Sequence, residues 1–487
     1  MLFDAVWQKV LTTVPVVLPV AWNITDIFGP SLSRQASILL PSDVNYTSRA
    51  TQRWTLHNAP SFIGTIQPAT VQDVQNIVRI SVARGIPFLV TGGNHGLSKT
   101  LAKCQGGVQV DLVKLSAIEI EDDRALMTVG GGVKFSDILI YWCIAMGTAH
   151  CVGVVGATLG GGVSSGQGVM GLLVDLLESA EVVTSFGTAI TASRDVNPEL
   201  FWSLAGAGAN FGAVTSATYR LPRVINGGNV VNANYLYPAT MGRSVFEALA
   251  SFDDTLGPEL AFNTAAFYNP EADQMVIMVN ANYYGSRSEA EDILGLFLDL
   301  GPLQHEMLVV PWPRVFETSY FGVNDTKACA RNQHVNMYSV SAIQTDVDAM
   351  STFLDQVLSF SRAHPDVATT FVVHRFPTGS KAEAEAAPRL KDDRESVYPY
   401  RQNKMHIQME SSYSNISLDN EVDRFLQDAR HRFVLGSGYK NQSVYVNFAH
   451  GDEGAEAWYS APQLKRLRQL KREWDPKGVF SYFNPIS

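Results

Sequence analysis

The spacing of apolar residues divides the first half of the chain into helices and short strands. From Thr70 onward, apolar side chains recur at three- and four-residue intervals, the period of an amphipathic helix, and Gly85 is placed to end it. A short apolar run over 86–90 predicts a buried strand directly afterwards. The same patterns predict strands over 107–115, 125–132 and 179–187, a helix over 134–146, and a helix, loop and strand over 197–221.

From about residue 225 the pattern changes to longer runs rich in β-branched and aromatic residues, separated by helical periodicity. Strands are predicted over 230–237, 261–268, 274–284, 334–343, 367–376 and 404–413. Helices are predicted over 288–300 and 347–363, and a basic amphipathic helix over 461–476. Strands interrupted by helices in this way predict an α+β domain with a broad sheet.

Length and charge narrow the class of protein. The 487 residues suffice for about two or three domains, and an apolar fraction of 46% is typical of a globular chain. The net charge of −10 argues against nucleic acid as a partner, because no basic stripe is present to neutralise phosphates. No run reaches 18 uninterrupted apolar residues, so we expect no membrane span. We expect a monomer.

The cysteines and the glycosylation sequons give clues to the cellular compartment of the protein. Four cysteines leave room for one bridge, and in the absence of a C-x-x-C pair we expect no metal site. Five Asn-x-Ser/Thr sequons favour a glycoprotein of the secretory pathway, with the cytoplasm as the alternative. The apolar stretch over 10–22 is interpreted either as a signal peptide or as a short surface anchor. The sequon asparagines are Asn23, Asn45, Asn324, Asn415 and Asn441.

Three glycine-rich loops, over 92–96, 147–168 and 206–212, each adjoin a predicted strand or helix. Backbone N–H groups in such loops form anion-binding nests, so three of them favour a long ligand that carries phosphates. The first loop also places His95 between glycines, where a neutral imidazole is an available nucleophile.

Two other kinds of site match parts of these loops. The string over 206–212 is close to a Rossmann fingerprint, but it has one residue too many and follows a helical pattern. Ser164 lies in a G-x-S-x-G string, the nucleophile elbow of α/β-hydrolases. An elbow requires a buried strand before the serine, whereas a flexible glycine-rich segment precedes it here. A serine hydrolase is therefore an outside alternative.

Five strings in this order resemble the berberine bridge enzyme-like flavoproteins, within the p-cresol methylhydroxylase and vanillyl-alcohol oxidase group, and fungal members above all. The strings are VTGGNHG, TVGGGVKFSDI, VGVVGATLGGGVSSGQG, ELFWSLAGAGANFGAVTSATYRL and the C-terminal segment from YVNF to YFNPIS. The resemblance implies an α+β fold: a two-part FAD-binding domain of the p-cresol methylhydroxylase type, and an α+β substrate domain with a broad antiparallel sheet. We expect an N-terminal segment over 1–60, the FAD-binding domain over 61–225, the substrate domain over 226–430, and a berberine-bridge-type segment over 431–487 that returns to the FAD domain.

The cofactor that the resemblance implies is FAD. In the family, a histidine of the first glycine loop bonds covalently to the flavin 8α-methyl, and the matching residue is His95. Some members form a second bond from a cysteine to flavin C6. That position is Ala149 here, so we expect no second link, and Cys151 would reach the flavin only through a local shift. Ala157 replaces a histidine that many members place near flavin N1. The positions expected to hold FAD are Thr91, Gly92, Gly93, Asn94, His95, Gly96, Leu97, Val152, Gly156, Ala157, Thr158, Gly161, Gly162, Gly166, Val183, Asn210, Gly212 and Val214.

The resemblance also suggests catalytic residues. Tyr445 matches a tyrosine that deprotonates or orients substrate alcohols, and His406 and Gln408 match active-site positions. Strand alternation adds Glu410 to the face of His406 and Gln408, and Asn447 to the face of Tyr445.

The expected function is an FAD-dependent oxidase of secondary metabolism. Its substrate would be an alcohol, an amine or a natural-product intermediate, which gives hydride to flavin N5, and molecular oxygen would then be reduced to hydrogen peroxide. Val152 falls where the family places an aliphatic residue beside flavin C4a, and valine there resembles the oxygen-reactive type, which favours an oxidase over a dehydrogenase. An oxidative cyclase, or a non-redox cyclase or isomerase, is the alternative that Ala149 and Ala157 suggest. A flavin-free binding protein fits less well, because all three glycine loops are present.

Overall fold

A computed structural model describes residues 22–139, 147, 149–323, 328–378 and 396–486. Within them the strands form three sheets. The first has four strands, in the order Ser37–Leu39, Phe62–Gln67, Gly107–Asp111 and Phe88–Thr91. The second has five antiparallel strands, in the order Ile118–Glu121, Leu126–Gly130, Ala213–Arg220, Leu177–Val183 and Ala189–Ser193.

The helix predicted from Thr70 runs over Val71–Arg84 and packs against these first two sheets. It begins where the Thr70 side chain accepts from the backbone N–H of Asp73, while the Asp73 carboxylate accepts from the backbone N–H of Thr70. It ends at Gly85, whose φ of 66° is left-handed and therefore favours glycine. The strand Phe88–Thr91 follows, and the first glycine loop begins directly after it.

The third sheet has seven antiparallel strands, which confirms the predicted α+β class with a broad antiparallel sheet. Their order is Gln304–Pro311, Asn229–Pro238, Gln274–Tyr283, Leu260–Asn269, Ala368–Arg375, Met405–Ser412 and Val335–Ala342. Alternation along each strand gives the sheet two faces. One face packs its apolar residues under the helices Gly242–Ala250, Arg287–Asp299, Val347–Ala363 and Asp419–Gly436. The other face carries more polar side chains and turns towards the glycine loops.

The edge strand Gln304–Pro311 was not expected from the sequence. Among the described residues it pairs only with Asn229–Pro238, and most of its residues are exposed or half-buried, so it lacks the apolar content that identified the other six. Six predicted strands and both predicted helices of this region are confirmed.

The remaining helices are short or lie near the C-terminus. They are Ile24–Phe28, Tyr46–Arg49, Phe135–Ile138, Val154–Thr158, Gln167–Met170, Leu173–Leu176, Pro198–Ala207, Val315–Thr318, Ala455–Tyr459 and Ala461–Trp474. The last confirms the predicted basic helix, and it packs against Pro198–Ala207 in the first half of the chain. No helix in the described ranges is long and apolar enough to cross a membrane.

Some predictions fall wholly or partly outside the described residues. The predicted helix over 134–146 is seen over Phe135–Ile138, and residues 140–146 lie outside the description. The apolar stretch over 10–21, Cys143 and the sequon at Asn324 also lie outside it.

One local prediction was wrong. The segment around Tyr445 and Asn447 is not a strand: Val446–Phe448 form a single 3-10 turn. A strand needs a ladder partner, and Tyr445 instead donates its backbone N–H to the Ser341 hydroxyl.

Candidate active site

A cavity of about 950 Å³ lies between the glycine loops and the polar face of the seven-stranded sheet. This is the upper end of the usual range for ligand pockets, about 300–1,000 Å³. All three glycine loops contribute to its wall. Twelve of the positions predicted to hold the cofactor line it: Thr91, Gly92, Gly93, Asn94, His95, Gly96, Leu97, Val152, Gly156, Ala157, Gly212 and Val214.

The first glycine loop is held in shape by Asn94 and Arg53. Asn94 has a left-handed φ of 54°, and its side-chain amide donates to the Thr51 carbonyl over 2.8 Å. Arg53 donates to the Asn94 side-chain oxygen over 3.2 Å and to the Gly96 carbonyl oxygen. Arg53 is buried, and burial lowers its pKa to about 10, so it remains charged at neutral pH. The loop is therefore fixed around His95, and sequence reasoning missed Arg53 because it lies far upstream.

His95 is half-buried on the cavity wall and is kept uncharged. Trp54 stacks on its ring, with centroids 5.8 Å apart and planes 20° apart. Burial, and after it the positive charge of Arg331, lowers the pKa of His95 to about 3. Arg331 itself donates to the Gly93 carbonyl over 2.8 Å and to the Cys151 carbonyl over 3.3 Å, which joins the first two loops. A neutral imidazole keeps a lone pair and can act as a nucleophile.

Cys151 forms a disulfide with Cys329, 178 residues away in the sequence. The Nε2 atom of His95 lies 3.3 Å from the Cys151 sulfur. The bridge that the sequence left room for is therefore present, and it ties the second glycine loop to the segment before the edge strand Val335–Ala342. Because this sulfur is already bonded, Cys151 has no free thiol to offer a flavin. Cys104 is a buried free thiol.

The glycines separate into two kinds, and both suit a bound dinucleotide. A Cβ on Gly92 would meet the Gly131 carbonyl oxygen, just after the strand Leu126–Gly130, at 2.6 Å. One on Gly93 would clash with the Gly153 backbone nitrogen, so Gly93 lets the first two glycine loops touch. Gly156 is exposed on the cavity wall, and a Cβ there would meet no heavy atom within 4 Å. Such a bare backbone surface at a cavity is what close approach by FAD requires.

Tyr445 and Asn447 meet across the cavity wall despite the unexpected local structure. The phenol oxygen of Tyr445 accepts from the Asn447 amide over 2.9 Å and from the Gly162 backbone N–H over 3.1 Å. Asn447 is held in turn by donating to the Ala157 carbonyl over 3.0 Å. Burial raises the pKa of Tyr445, and the two donors oppose that rise because they stabilise the phenolate.

The strand Met405–Ser412 presents Gln408 and Glu410 to the cavity, whereas His406 does not line it. His406 shares their strand face but lies beyond the cavity, where its Nδ1 is 2.9 Å from the Ser341 hydroxyl and its ring meets that of Tyr445 at 5.6 Å. Burial lowers its pKa to about 3, which leaves it neutral. Its position permits contact with Tyr445 but no direct contact with a molecule in the cavity.

His374 lines the cavity instead and was not predicted. It lies directly opposite His406 on one neighbouring strand and opposite Asn263 on the other side. Its Nδ1 is 2.8 Å from the Asn263 side-chain oxygen, and burial lowers its pKa to about 4. The signal was present in the strand alternation, but the register that places these three residues side by side cannot be read from one strand.

Six further positions predicted to hold the cofactor do not line the cavity: Thr158, Gly161, Gly162, Gly166, Val183 and Asn210. They support the loops from behind. Thr158 bonds to the Val154 carbonyl and the Tyr219 hydroxyl, and Asn210 donates to Tyr459 over 3.0 Å. Val183 packs in the core with the first sheet. The matched motifs thus contribute positions to the cavity wall, but they did not indicate which side of each loop faces the cavity.

Gly161, Gly162 and Gly166 serve packing behind the wall. Gly161 and Gly162 have left-handed φ values of 126° and 77°. A Cβ on Gly161 would lie 2.6 Å from the Tyr398 ring, and added side chains at Gly162 and Gly166 would strike Leu173 and Met170. Ser164, the outside hydrolase candidate, is fully buried and its hydroxyl has no partner among the described residues. The structure thus gives Ser164 no adjacent base.

Comparisons with known proteins agree with this site. An FAD binding domain model matches residues 63–193, and a model for berberine and berberine-like proteins matches residues 444–487. The FAD-linked oxidoreductase azaL of Aspergillus niger is 43% identical over 456 residues, covering 92% of this chain and 95% of that protein. The FAD-linked oxidoreductase tazG of Aspergillus terreus is 40% identical, covering 99% of this chain and 98% of that protein.

Solved structures show the same fold at low sequence identity. BBE-like 1 of Physcomitrella patens superposes with a TM-score of 0.81 at 19% identity, covering 96% of this chain and 100% of that chain. A chitooligosaccharide oxidase gives a TM-score of 0.79 at 16% identity, covering 95% of this chain and 99% of that chain. With the cavity, its glycine loops and relatives of more than 40% identity along nearly the whole chain, this protein belongs to the berberine bridge enzyme-like family and is an FAD-linked oxidoreductase.

Proposed function

We propose that this protein is an oxidase that holds FAD covalently through His95 and oxidises a small molecule at a carbon bearing oxygen or nitrogen. The observation that carries the covalent link is the neutral imidazole of His95, fixed on the wall of the cavity. When bound, FAD supplies the acceptor for a hydride from the substrate carbon and passes the electrons to oxygen, giving hydrogen peroxide.

The chain's own residues supply the base and the substrate surface. Tyr445 takes the proton from the substrate hydroxyl or amine at its phenol oxygen, after losing its own proton, while Asn447 and Gly162 stabilise the resulting charge. Gln408, Glu410 and His374 form the polar part of the sheet face that orients the substrate. His406 acts behind Tyr445, because its ring contacts that side chain and not the cavity.

Relatives support this choice of reaction by their names. Fold neighbours include a chitooligosaccharide oxidase, a xylooligosaccharide oxidase and a 6-hydroxy-D-nicotine oxidase, which together name sugar and amine substrates. The relatives at about 40% identity are fungal FAD-linked oxidoreductases, which supports a redox reaction. A role in secondary metabolism is our proposal from the resemblance to fungal members. Val152 lines the cavity, and the resemblance, which assigns it to a position beside flavin C4a, supports reaction with oxygen.

We also propose secretion with glycosylation and the domain division at residues 60, 225 and 430. The four sequon asparagines within the described ranges, Asn23, Asn45, Asn415 and Asn441, are all exposed. The third sheet lies inside 229–412, which supports the divisions at 225 and 430. The strand Ser37–Leu39 pairs with Phe62–Gln67 across residue 60, so part of the N-terminal segment joins the first sheet.

A cyclase or isomerase on this scaffold is the second candidate. Two cavity positions, Ala149 and Ala157, depart from the family pattern, and both remove groups that tune a flavin. Substrate turnover without oxygen consumption would favour this candidate.

The test is acid precipitation of the purified protein beside a His95→Ala variant. We expect yellow pellet from the wild type and yellow supernatant from the variant, together with peroxide formation when alcohols, sugars and amines are screened. Flavin released from both proteins would refute the covalent link. Covalent flavin without oxygen uptake on any turned-over substrate would refute the oxidase.

A further inference from the structure

Two histidines and an aspartate meet at a junction outside the flavin cavity. His57 comes from the N-terminal segment, His334 immediately precedes the edge strand Val335–Ala342, and Asp419 begins the helix Asp419–Gly436. The Nδ1 of His57 lies 3.3 Å from the Nε2 of His334, which lies 2.8 Å from the Oδ1 of Asp419. The third distance, between His57 Nδ1 and the same carboxylate oxygen, is 4.0 Å.

Hydrogen bonding alone does not satisfy these three atoms. If the Nε2 of His334 carries a proton and donates it to Asp419, it has no lone pair left for a proton on His57 Nδ1. If it carries none, its lone pair faces a carboxylate that also only accepts. In the first case a single N–H serves two acceptors, and in the second two acceptors face each other. The two contacts of the His334 Nε2 thus hold at most one proton, so one of the three atoms keeps a lone pair that no proton within the cluster meets.

A metal ion resolves this arrangement, because each atom then donates a lone pair to the cation. Two ligands bound tetrahedrally to zinc at about 2.0–2.1 Å lie roughly 3.4 Å apart, close to the 3.3 Å between the two imidazole nitrogens. The two distances to Asp419, 2.8 Å and 4.0 Å, lie on either side of that value. A small shift of the carboxylate would equalise them, and this side chain is 40% exposed and can move.

We propose that His57, His334 and Asp419 bind a divalent transition metal, with zinc as the best match to two imidazoles and one carboxylate. Water completes the coordination, because Asp419 opens the site to solvent while His57 is buried behind it. The Tyr413 hydroxyl donates to the same Asp419 oxygen over 2.8 Å and orients the carboxylate.

The position of the cluster assigns the metal a structural role. Next to His57, the Thr55 hydroxyl donates to the Val335 carbonyl over 2.8 Å and accepts from the backbone N–H of Val335. Arg53 and Trp54, which hold and stack on the loop of His95, lie a few residues upstream of His57. The ion would therefore clamp the edge strand and the helix of the third sheet against the segment that supports the flavin loop. No signal in the sequence predicted it, because the three ligands are far apart in the chain.

The test measures metal on the intact holoprotein. After chelator treatment and gel filtration, zinc is titrated back, the metal content is measured by plasma mass spectrometry, and thermal unfolding is followed. We expect one zinc per chain and a rise in Tm of at least about 2 °C. Both should be lost in His334→Ala and Asp419→Asn. His364→Ala is the matched control, because His364 contacts Glu421 on the same helix in a simple surface pair at 3.2 Å.

Binding of cobalt(II) can be measured by absorption even if the variants are less stable than the wild type. Tetrahedral cobalt absorbs in the visible, and we expect these bands in the wild type and in His364→Ala, but not in Asp419→Asn. Absence of stoichiometric zinc and of cobalt bands in the wild type would overturn the proposal. Equal zinc binding by His334→Ala would also overturn it, because the ion would then lie elsewhere.

Discussion

The Asn447 amide donates to the phenol oxygen of Tyr445 over 2.9 Å, and the Gly162 backbone N–H donates to the same oxygen from the second glycine loop. A buried phenol whose oxygen accepted no hydrogen bond would hold its proton tightly. Here two fixed donors stabilise the phenolate at the wall of the cavity, so the pair is arranged for a tyrosine that gives up its proton and acts as a base.

Replacing Tyr445 with phenylalanine removes this base while keeping the ring. We expect kcat to fall by about 10²- to 10⁴-fold, the usual contribution of general base catalysis, with flavin content unchanged. Tyr398→Phe is the matched control, because Tyr398 packs edge-on against Tyr445 at 6.0 Å and does not line the cavity. An equal loss of activity in both variants would mean that packing, and not proton transfer, is affected.

Removing the donor of Asn447 should move the pH profile. Burial already raises the pKa of Tyr445, and loss of one stabilising bond in Asn447→Ala raises it further. Since the base works only when deprotonated, the acidic limb of kcat/KM should move to higher pH. In Asn447→Asp a negative charge next to the phenol oxygen should move it further in the same direction. A limb that stays in place in both variants would show that another group controls it.

Two glycines of the cavity should respond differently to substitution: one variant should lose stability and the other should lose flavin. In Gly93→Ala the new Cβ clashes with the Gly153 backbone, so we expect a clear loss of thermal stability with or without FAD. In Gly156→Val the side chain enters open space at the cavity wall, so stability of the flavin-free protein should be kept while flavin content falls. Normal flavin content in a folded Gly156→Val protein would place FAD elsewhere in the cavity.

Breaking the disulfide should weaken the fold without releasing flavin. The bridge closes a loop of 178 residues, and its loss in Cys329→Ser should cost about 2–5 kcal/mol of unfolding free energy. Thermal unfolding with and without a reductant measures this effect. The wild type should become as unstable as the variant under reduction, whereas the variant itself should not respond. Cys104→Ala should keep the full response, since that thiol is free.

Local features of the sequence predicted most of the fold. The helix after Thr70 was predictable because its cap at Thr70 and its stop at Gly85 directly flank it in the sequence. Six strands of the large sheet were predictable from their own content of β-branched and aromatic residues. The edge strand Gln304–Pro311 was not, because its pairing depends on a partner about 75 residues upstream and not on its own composition.

The site was less predictable because its residues meet through tertiary structure. Resemblance located the loop of His95, but Arg53, Arg331 and the disulfide reach it from distant parts of the chain. His374 enters the cavity through strand register, whereas His406, its direct partner on the neighbouring strand, packs against Ser341 and Tyr445 instead. Tyr445 and Asn447 do converge as expected, but through a 3-10 turn and not through a strand.

Arg331 should control how flavin attachment depends on pH. With a pKa of about 3, His95 is neutral in the wild type, so attachment to apoprotein should proceed equally well between about pH 5 and pH 8. Arg331→Ala removes the positive charge that helps to lower this pKa, so the pKa of His95 rises and the protonated, non-nucleophilic form grows as pH falls. We therefore expect slower attachment by the variant at about pH 5 than at pH 8, read as flavin in acid-precipitated protein over time. Arg331→Lys should restore the flat profile because it keeps the charge. A flat profile in Arg331→Ala would mean that burial alone keeps His95 neutral.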